Sequence, residues 1–401
     1  MKVLMFGWEF APIYSGGLGV ACAGLTKGLV SNNVDVTFVI PKKKGDVQTH
    51  VNLVSAAEIM EKIKTICVDS PLRAYMTSKS YEELKSGAHQ NYSDSLYGAN
   101  LFDEVHRYSE SAKEIARNET FDVIHAHDWM TFRAGINAKK VSGKPLVVHV
   151  HATEFDRTGG NGVNQHVYDI EHEGLHHADK VITVSHYTKK MVERHYGVNP
   201  EKIEVVHNAV DWDFHNAEAP KISDNDKIVL FLGRITLQKG PDYFVEMAKK
   251  VSELVPNAKF VVAGSGDMEA RMIMRAAELG IGDKMLFAGF LKGADIERAY
   301  KMADVYVMPS VSEPFGITPL EAIKHGTPAI ISKQSGVSEI LKNTIKIDFW
   351  DIDRMADVVA GVLKYPPLRE TMSEEGLKEL KNINWGNSAR KCLEVYNGVI
   401  K

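Results

Sequence analysis

The sequence predicts an α/β protein made of two doubly wound parallel sheets that face each other across a cleft. Three observations carry this. Short β-branched runs alternate with amphipathic helical stretches from end to end, which is the rhythm of βαβ units. The rhythm breaks at a polar stretch, residues 211–226, and then restarts. The 401 residues also exceed one ordinary hydrophobic core, so two or three domains are expected.

The first series of strands is read at residues 2–7, 35–41, 123–126, 146–150, 180–184 and 204–207, with helices between them at 19–32, 104–118, 131–141 and 186–196. The second series runs through 228–232, 260–263, 285–288, 305–308 and 329–332. The junction is placed near 215–225, giving a first domain of residues 1–215 and a second of 216–383. A last helix in 384–401 has apolar positions at helical spacing (Ala389, Leu393, Val395, Tyr396) after Asn384-Trp385. Because these follow the end of the second sheet, the helix is expected to cross back onto the first domain; packing only on its own domain is the alternative.

Composition narrows the class. With 44% hydrophobic and 25% charged residues the chain reads as a soluble globular protein. A formal net charge of −4 gives no reason to expect nucleic acid as a partner, and Lys42-Lys43-Lys44 reads as a solvated loop. Cys22, Cys67 and Cys392 are odd in number, scattered and without metal-ligand spacing, which suits reduced thiols in the cytoplasm. The apolar start Val3-Leu4-Met5-Phe6 runs into Glu9, too short for a signal peptide. The other apolar runs fall short of the ~20 residues of a membrane helix, so membrane association is not indicated.

In open α/β sheets ligands bind beyond the carboxyl ends of the strands, and the candidate residues lie there. The most informative segment is Ser312-Glu313-Pro314-Phe315-Gly316-Ile317-Thr318-Pro319-Leu320-Glu321. Thr318 reads as an N-cap, Pro319 as the first helical residue, and Glu321 falls three residues after the cap. The first N–H groups of such a helix favour a phosphate, and carboxylates on either side suit hydroxyl groups: the shape of a nucleotide-sugar site. The plainer reading of Thr318-x-x-Glu321 is a capping box in which Glu321 only satisfies the Thr318 N–H. After the first strand of the second domain, Gly233-Arg234 and Gln238-Lys239-Gly240 place two cations on one loop, which suits a diphosphate; for either cation alone an exposed surface role would be preferred. Ser15-Gly16-Gly17-Leu18-Gly19 follows the first strand and would let backbone approach a phosphate. Neither this turn nor Gly264-Ser265-Gly266 completes a dinucleotide fingerprint, since Cys22 and Glu269 occupy the third glycine positions. His151 follows the 146–150 strand beside Thr153, Glu154 and Arg157; alternation puts His149 on the same side, so one of the two reads equally well as a packed core histidine. His125-Ala126-His127-Asp128 suggests a metal pair, but with no third obvious ligand it is read as a wall of the cleft, and no metal site is assigned.

Taken with Gly-Gly-Leu-Gly (16–19), His-Ala-His-Asp-Trp (125–129), His-Ala-Thr-Glu-Phe-Asp-Arg (151–157) and Val-His-Asn-Ala-Val-Asp (206–211), these motifs make the chain similar to the family 4 retaining glycosyltransferases of the GT-B fold, close to the glycogen and starch synthases. The likeness covers nearly the whole chain. It implies two Rossmann-like domains, the first on the acceptor side and the second holding the donor. Arg234 and Lys239 resemble the family's diphosphate clamp, and Glu321 its ligand for the ribose hydroxyls. Glu313, with backbone N–H groups of Phe315 and Gly316, resembles the group that holds the donor sugar. Ile317 and Thr318 would offer N–H groups to the phosphates, and Phe290 and Leu291 would meet the base. His151 resembles the histidine that reaches the sugar near the reacting carbon, and Gly17 would let the first domain close on the phosphates.

The implied activity is metal-independent transfer of glucose from UDP- or ADP-glucose, without a cofactor, to a carbohydrate acceptor, an α-glucan being expected. Retention would come from same-face attack or from a covalent intermediate on Glu313. Tyr14-Ser15 stand where starch and bacterial glycogen synthases carry a lysine before the glycine pair, which weakens assignment to glycogen synthase proper and to ADP-glucose as donor but leaves the family resemblance intact. Acceptor choice would rest on first-domain loops, chiefly 70–99, and the oligomeric state is not legible. The alternatives are an epimerase of the same fold, or a transferase acting on a small sugar or lipid. A GT-A transferase would need an acidic metal pair, for which Asp211-Trp212-Asp213 lies at the domain junction. A nicotinamide oxidoreductase fails on both fingerprints, and a non-catalytic binding module does not need the whole donor constellation.

Overall fold

Among the described residues every strand pairing is parallel, and the strands form two separate sheets that share the order third, second, first, fourth, fifth, sixth, the first sheet adding a seventh strand. The computed structural model describes residues 1–11, 16–41, 49–55, 99–160, 162–212 and 225–400. The first sheet is built from β1 (Lys2–Phe6), β2 (Asp35–Ile40), β3 (Asn52–Ser55), β4 (Val123–His127), β5 (Leu146–Val150), β6 (Lys180–Thr183) and β7 (Ile203–Val205) in the order β3-β2-β1-β4-β5-β6-β7. Helices α1 (Gly17–Ser31), α2 (Ala99–Asn118), α3 (Trp129–Ser142), the short α4 (Glu154–Arg157), α5 (Gln165–His177) and α6 (His186–Tyr196) alternate with its strands. The second sheet runs third, second, first, fourth, fifth, sixth from β8 (Lys227–Leu232), β9 (Ala258–Ala263), β10 (Met285–Gly289), β11 (Val305–Met308), β12 (Ala329–Ser332) and β13 (Ile345–Ile347). Its helices are α7 (Pro241–Leu254), α8 (Glu269–Glu278), α9 (Ala294–Met302), α10 (Thr318–Lys324), α11 (Ile352–Lys364) and α12 (Pro366–Leu380), and α13 (Trp385–Val399) follows.

Parallel strands covered by helices on both faces must be apolar throughout, and β4, β5 and β11 are buried at every position. In each sheet the strand order reverses once, between β1 and β4 and between β8 and β11, which is where a doubly wound sheet opens a crevice at its carboxyl edge. The carboxyl ends of the two sheets meet. Ser312 Oγ donates to Asp156 Oδ1 at 2.6 Å, and Ser185 Oγ donates to the Pro314 carbonyl at 2.5 Å. The N–H groups of His186 and Tyr187, at the start of α6, donate to the Glu339 carboxylate of the second domain at 2.9 and 2.6 Å.

The last helix returns to the first sheet. Trp385, Ala389, Cys392 and Tyr396 are buried in one core with Cys22 and Leu25 of α1 and Val3, Met5 and Phe38 of β1 and β2. A Cβ at Gly24 or Gly28 of α1 would collide with the Trp385 ring or its carbonyl, so the two helices pack backbone against backbone there. Two short strands, β3 and β13, were not anticipated, and the strand expected at 204–207 ends at Val205: His207 turns away to bond Glu339 at 3.0 Å. The expected domain junction falls in 213–224, outside the described residues. Among the described residues no helix is long and apolar enough to cross a membrane.

Candidate active site

The segment after β11 is pinned by backbone. Glu313 N–H donates to the Gln334 carbonyl at 2.9 Å, Gly336 N–H to the Glu313 carbonyl at 2.9 Å, and Val337 N–H to the Phe315 carbonyl at 2.7 Å. Gly316 then turns the chain at φ 98°, a conformation open to glycine, and sends it into α10. The helix cap comes one residue earlier than the sequence suggested. Ile317 stands in the cap position with helical φ/ψ and no side-chain cap, and Thr318 is already helical. Thr318 Oγ1 instead accepts from Tyr306 Oη at 2.8 Å, and Glu321 Oε2 accepts from Tyr300 Oη at 2.9 Å. The expected N-cap at Thr318 is therefore corrected, and the plainer capping-box alternative falls with it: Glu321 is not committed to the helix end. Burial raises the Glu321 carboxyl above its ordinary range, with the Tyr300 hydroxyl and Lys324 acting the other way.

Facing that segment is the loop after β8. Lys239 Nζ pairs with Glu313 Oε2, which also accepts from Ser310 Oγ at 3.2 Å. Arg234 donates to Gln238 Oε1 at 2.8 Å across the same loop. The Gly264-Ser265-Gly266 turn, empty as a fingerprint, supports this loop: a Cβ at Gly264 or Gly266 would collide with the Gly233 or Ile235 carbonyl, and Ile235 N–H donates to the Ser265 carbonyl at 3.0 Å. Phe290 and Leu291 lie beyond β10, the outer strand of the same sheet, Phe290 exposed and Leu291 packed on the second core.

From the first domain, His151 sits at the end of β5, partly exposed, its N–H donating to Asp128 Oδ1 at 2.7 Å. Asp128 holds a left-handed backbone (φ 59°), uncommon for a non-glycine residue and a form of strain that collects at functional sites. His151 Nε2 lies 2.9 Å from His127 Nδ1, and desolvation pushes the His151 imidazole below the ordinary histidine range, with Asp128 pulling it back. Its polar neighbours prove to be scaffold. Thr153 and Asp156 form a reciprocal capping box, and Arg157 NH1 donates to Glu171 Oε1 at 2.9 Å. Gly17 opens α1, and a Cβ there would meet nothing, so the fold itself makes no demand for glycine at that position.

Several residues of this region escaped the sequence reading. Glu9, just beyond β1, is buried and accepts from Gly19 N–H at 3.2 Å; a Cβ at Gly16 would collide with its carboxylate. Burial raises the Glu9 carboxyl to about 7, while the Gly19 N–H and the charge of Arg234 across the domain boundary act the other way. A carboxylate one turn past the first strand and before a double glycine was the available signal. Ser312, Asp156 and Tyr187 form a second link between the domains, with Tyr187 Oη and Ser312 Oγ 3.0 Å apart, and nothing in spacing alone pairs them. The contact of Tyr300 with Glu321 was equally invisible before folding. Of the expected residues, the structure joins Lys239 to Glu313 directly. It holds Arg234 within electrostatic reach of Glu9, and sets His151 in the first domain on Asp128, just before the Thr153–Asp156 cap that meets Ser312. Residues 70–98 and Tyr14-Ser15 lie outside the described residues.

Comparison with known proteins decides the family. The model of Glycosyltransferase Family 4 matches residues 15–214, and that of Glycosyl transferases group 1 matches residues 214–379. An uncharacterized glycosyltransferase of Methanocaldococcus jannaschii is 30% identical over 99% of this chain and 98% of its own. The chain belongs to the family 4 glycosyltransferases. A glycogen synthase of Mycobacterium tuberculosis is 24% identical over 99% of this glycosyltransferase and 94% of its own length. The solved sucrose-phosphate synthase of Thermosynechococcus elongatus has a TM-score of 0.77 at 17% identity, covering 99% of this chain and 98% of that one, which shows the shared GT-B fold.

Proposed function

We propose that this glycosyltransferase moves glucose from UDP- or ADP-glucose to a carbohydrate acceptor, an α-glucan, with retention at C1 and without a metal in the transfer step. The observation that carries this reading is the meeting of Lys239 and Glu313 at the carboxyl edge of the second sheet, with Arg234 on the same loop. A cation and a carboxylate in contact match a donor whose diphosphate and sugar hydroxyls are neighbours. Two guanidinium or ammonium groups supply the charge that a metal would otherwise bring to the leaving diphosphate.

In this reading Lys239 and Arg234 take the diphosphate, helped by N–H groups of Ile317 and Thr318. Glu313 with N–H groups of Phe315 and Gly316 takes the sugar, and Glu321 takes the ribose. Phe290 and Leu291 border the base. As the C1–O bond lengthens, negative charge grows on the phosphate facing the two cations and positive charge on the ring facing Glu313. His151, held in place through Asp128 and His127, contacts the sugar from the first domain. Its depressed basicity keeps it neutral at pH 7, so it accepts or donates one hydrogen bond without adding charge beside the cationic ring. Gly17 leaves room for the phosphates when the domains close, and closure excludes the water that would hydrolyse the donor. The similarity of length and sequence to a glycogen synthase supports glucan as the acceptor.

The test is nucleotide release from UDP-glucose and ADP-glucose, with and without glycogen, in the presence of chelator. Release that requires glycogen supports the reading and names the donor. Interconversion of the donor sugar with no net release of nucleotide, with or without glycogen, would replace it with an epimerase, and glycogen-dependent release that needs free divalent ion in the assay even when the protein keeps any bound metal would end the metal-free transfer step.

A further inference from the structure

Four histidines form a block on one face of the first sheet. His125 and His127 alternate along β4, His149 and His151 along β5, and the parallel register sets His127 against His149. The ring centroids of His125 and His127, and of His149 and His151, are 4.3 Å apart, and His149 lies 5.3 Å from both His125 and His127. Cys22 of α1 and Tyr396 of α13 belong to the elements that cover this face, and His125, His127 and His149 are all but inaccessible to water.

The hydrogen bonds in this block are incomplete in a regular way. His125 Nδ1 is 2.6 Å from Tyr396 Oη, and His127 Nδ1 is 2.9 Å from His151 Nε2. His125 Nε2, His127 Nε2 and both nitrogens of His149 are buried with no hydrogen-bond partner. One ring nitrogen from each of His125, His127 and His149 lies within 4.8 Å of the other two. Unpartnered buried nitrogens are rare in native proteins, and three adjacent residues that each carry one call for an occupant.

We propose that His125, His127 and His149 hold one divalent transition-metal ion of the zinc class, in a structural site beneath His151. Imidazole is a preferred ligand for such ions. All three rings are buried, so an ion held by them would sit in a site closed to solvent. Metal-bound histidines characteristically have their second nitrogen fixed by another group. Tyr396 fills that role for His125 and His151 fills it for His127. A Zn–N distance of about 2.0–2.1 Å puts tetrahedral ligand atoms ~3.3 Å apart, so the rings draw inward by rotation about their side-chain bonds when the ion enters. Cys22, His127 and His151 form a competing set of similar size. It is the weaker one, because His127 and His151 already spend nitrogens on each other. The ion takes no part in glycosyl transfer. It ties β4 and β5 to α13 and fixes the His127 ring whose other nitrogen orients His151.

The experiment is metal analysis of the full chain, purified without an affinity tag, followed by Co2+ titration of metal-stripped protein read by its visible absorption. About one equivalent of zinc-class metal, with a Co2+ spectrum of low-coordinate nitrogen ligation, is expected. His149→Leu should abolish both, and Tyr396→Phe, which leaves all three ligands, should weaken binding about 10- to 100-fold. The second variant decides the matter if the first fails to fold. A wild-type protein that is metal-free and silent to Co2+, its histidines bridged by water instead, would overturn the proposal, as would undiminished binding in both variants.

Discussion

Replacing Lys239 by methionine separates a donor ligand from a structural counter-ion. The Lys239 ammonium pairs with Glu313, whose side chain is 7% exposed while that of Lys239 is 21% exposed. Removing one partner of a buried ion pair costs about 3–5 kcal/mol; here a fifth of the lysine is already in solvent and Ser310 still donates to Glu313, so about 2 kcal/mol of stability should be lost. If Lys239 also grips the donor diphosphate, one charge-assisted hydrogen bond worth about 1.5–3 kcal/mol disappears from the transition state, a fall of about 10- to 150-fold in kcat/KM for the donor. The double variant Lys239→Met/Glu313→Gln removes the stranded charge, so denaturant melts should recover most of the stability while turnover stays low. The assay pairs urea titrations with nucleotide release at varied donor concentration. If Lys239→Met loses stability but keeps donor kcat/KM within twofold of wild type, Lys239 serves only Glu313 and the clamp is wrongly placed.

Two further outcomes follow from particular contacts. Glu9 has its carboxyl raised from 4.5 to about 7, so its contribution to stability is complete below about pH 4.5 and is lost as pH rises through 7; at about 1.4 kcal/mol per pH unit this amounts to about 3 kcal/mol. Stability curves of wild type and Glu9→Gln should therefore diverge by up to that amount between pH 4.5 and 8, and parallel curves would show that Glu9 is not buried as described. In an exposed helix Gly→Ala stabilises by up to about 1 kcal/mol, but Gly28→Ala should destabilise by about 1–3 kcal/mol, because its Cβ meets the Trp385 carbonyl; a raised melting temperature would contradict that packing.

The sheets were readable because parallel strands are apolar on both faces and lie between helices with obvious periodicity, so β5, β11 and β12 were located to the residue. β13 has three residues and β3 four, too few for a pattern to stand out from loop composition. The glycines, cations and carboxylates of the second domain were readable because each follows a strand. What sequence could not supply is pairing across long separations. Tyr300 meets Glu321 through the packing of two helices of the second domain, while Ser312 with Asp156 and Glu9 with the charge of Arg234 are chosen by the way two sheets face each other. The same limit hid the relation of His149 to His125 and His127, since strand register, not spacing, brings them together. The misplaced helix cap has a local cause: Gly316 made the turn before Thr318 was reached.

The return of α13 to α1 has a consequence for how the chain is made. The apolar wall that seals Cys22, Leu25 and Phe38 is supplied by Trp385, Ala389 and Tyr396, more than three hundred residues later. On the ribosome, the amino-terminal half emerges first yet waits, with that flank open, until the carboxy-terminal half has been synthesised. The second domain completes its own core without this helix and becomes the first finished unit, reversing the order of synthesis. Nascent chains arrested before Trp385 should therefore depend on chaperones and be open to proteases in their first half, and release of the final helix becomes the event that locks the molecule shut.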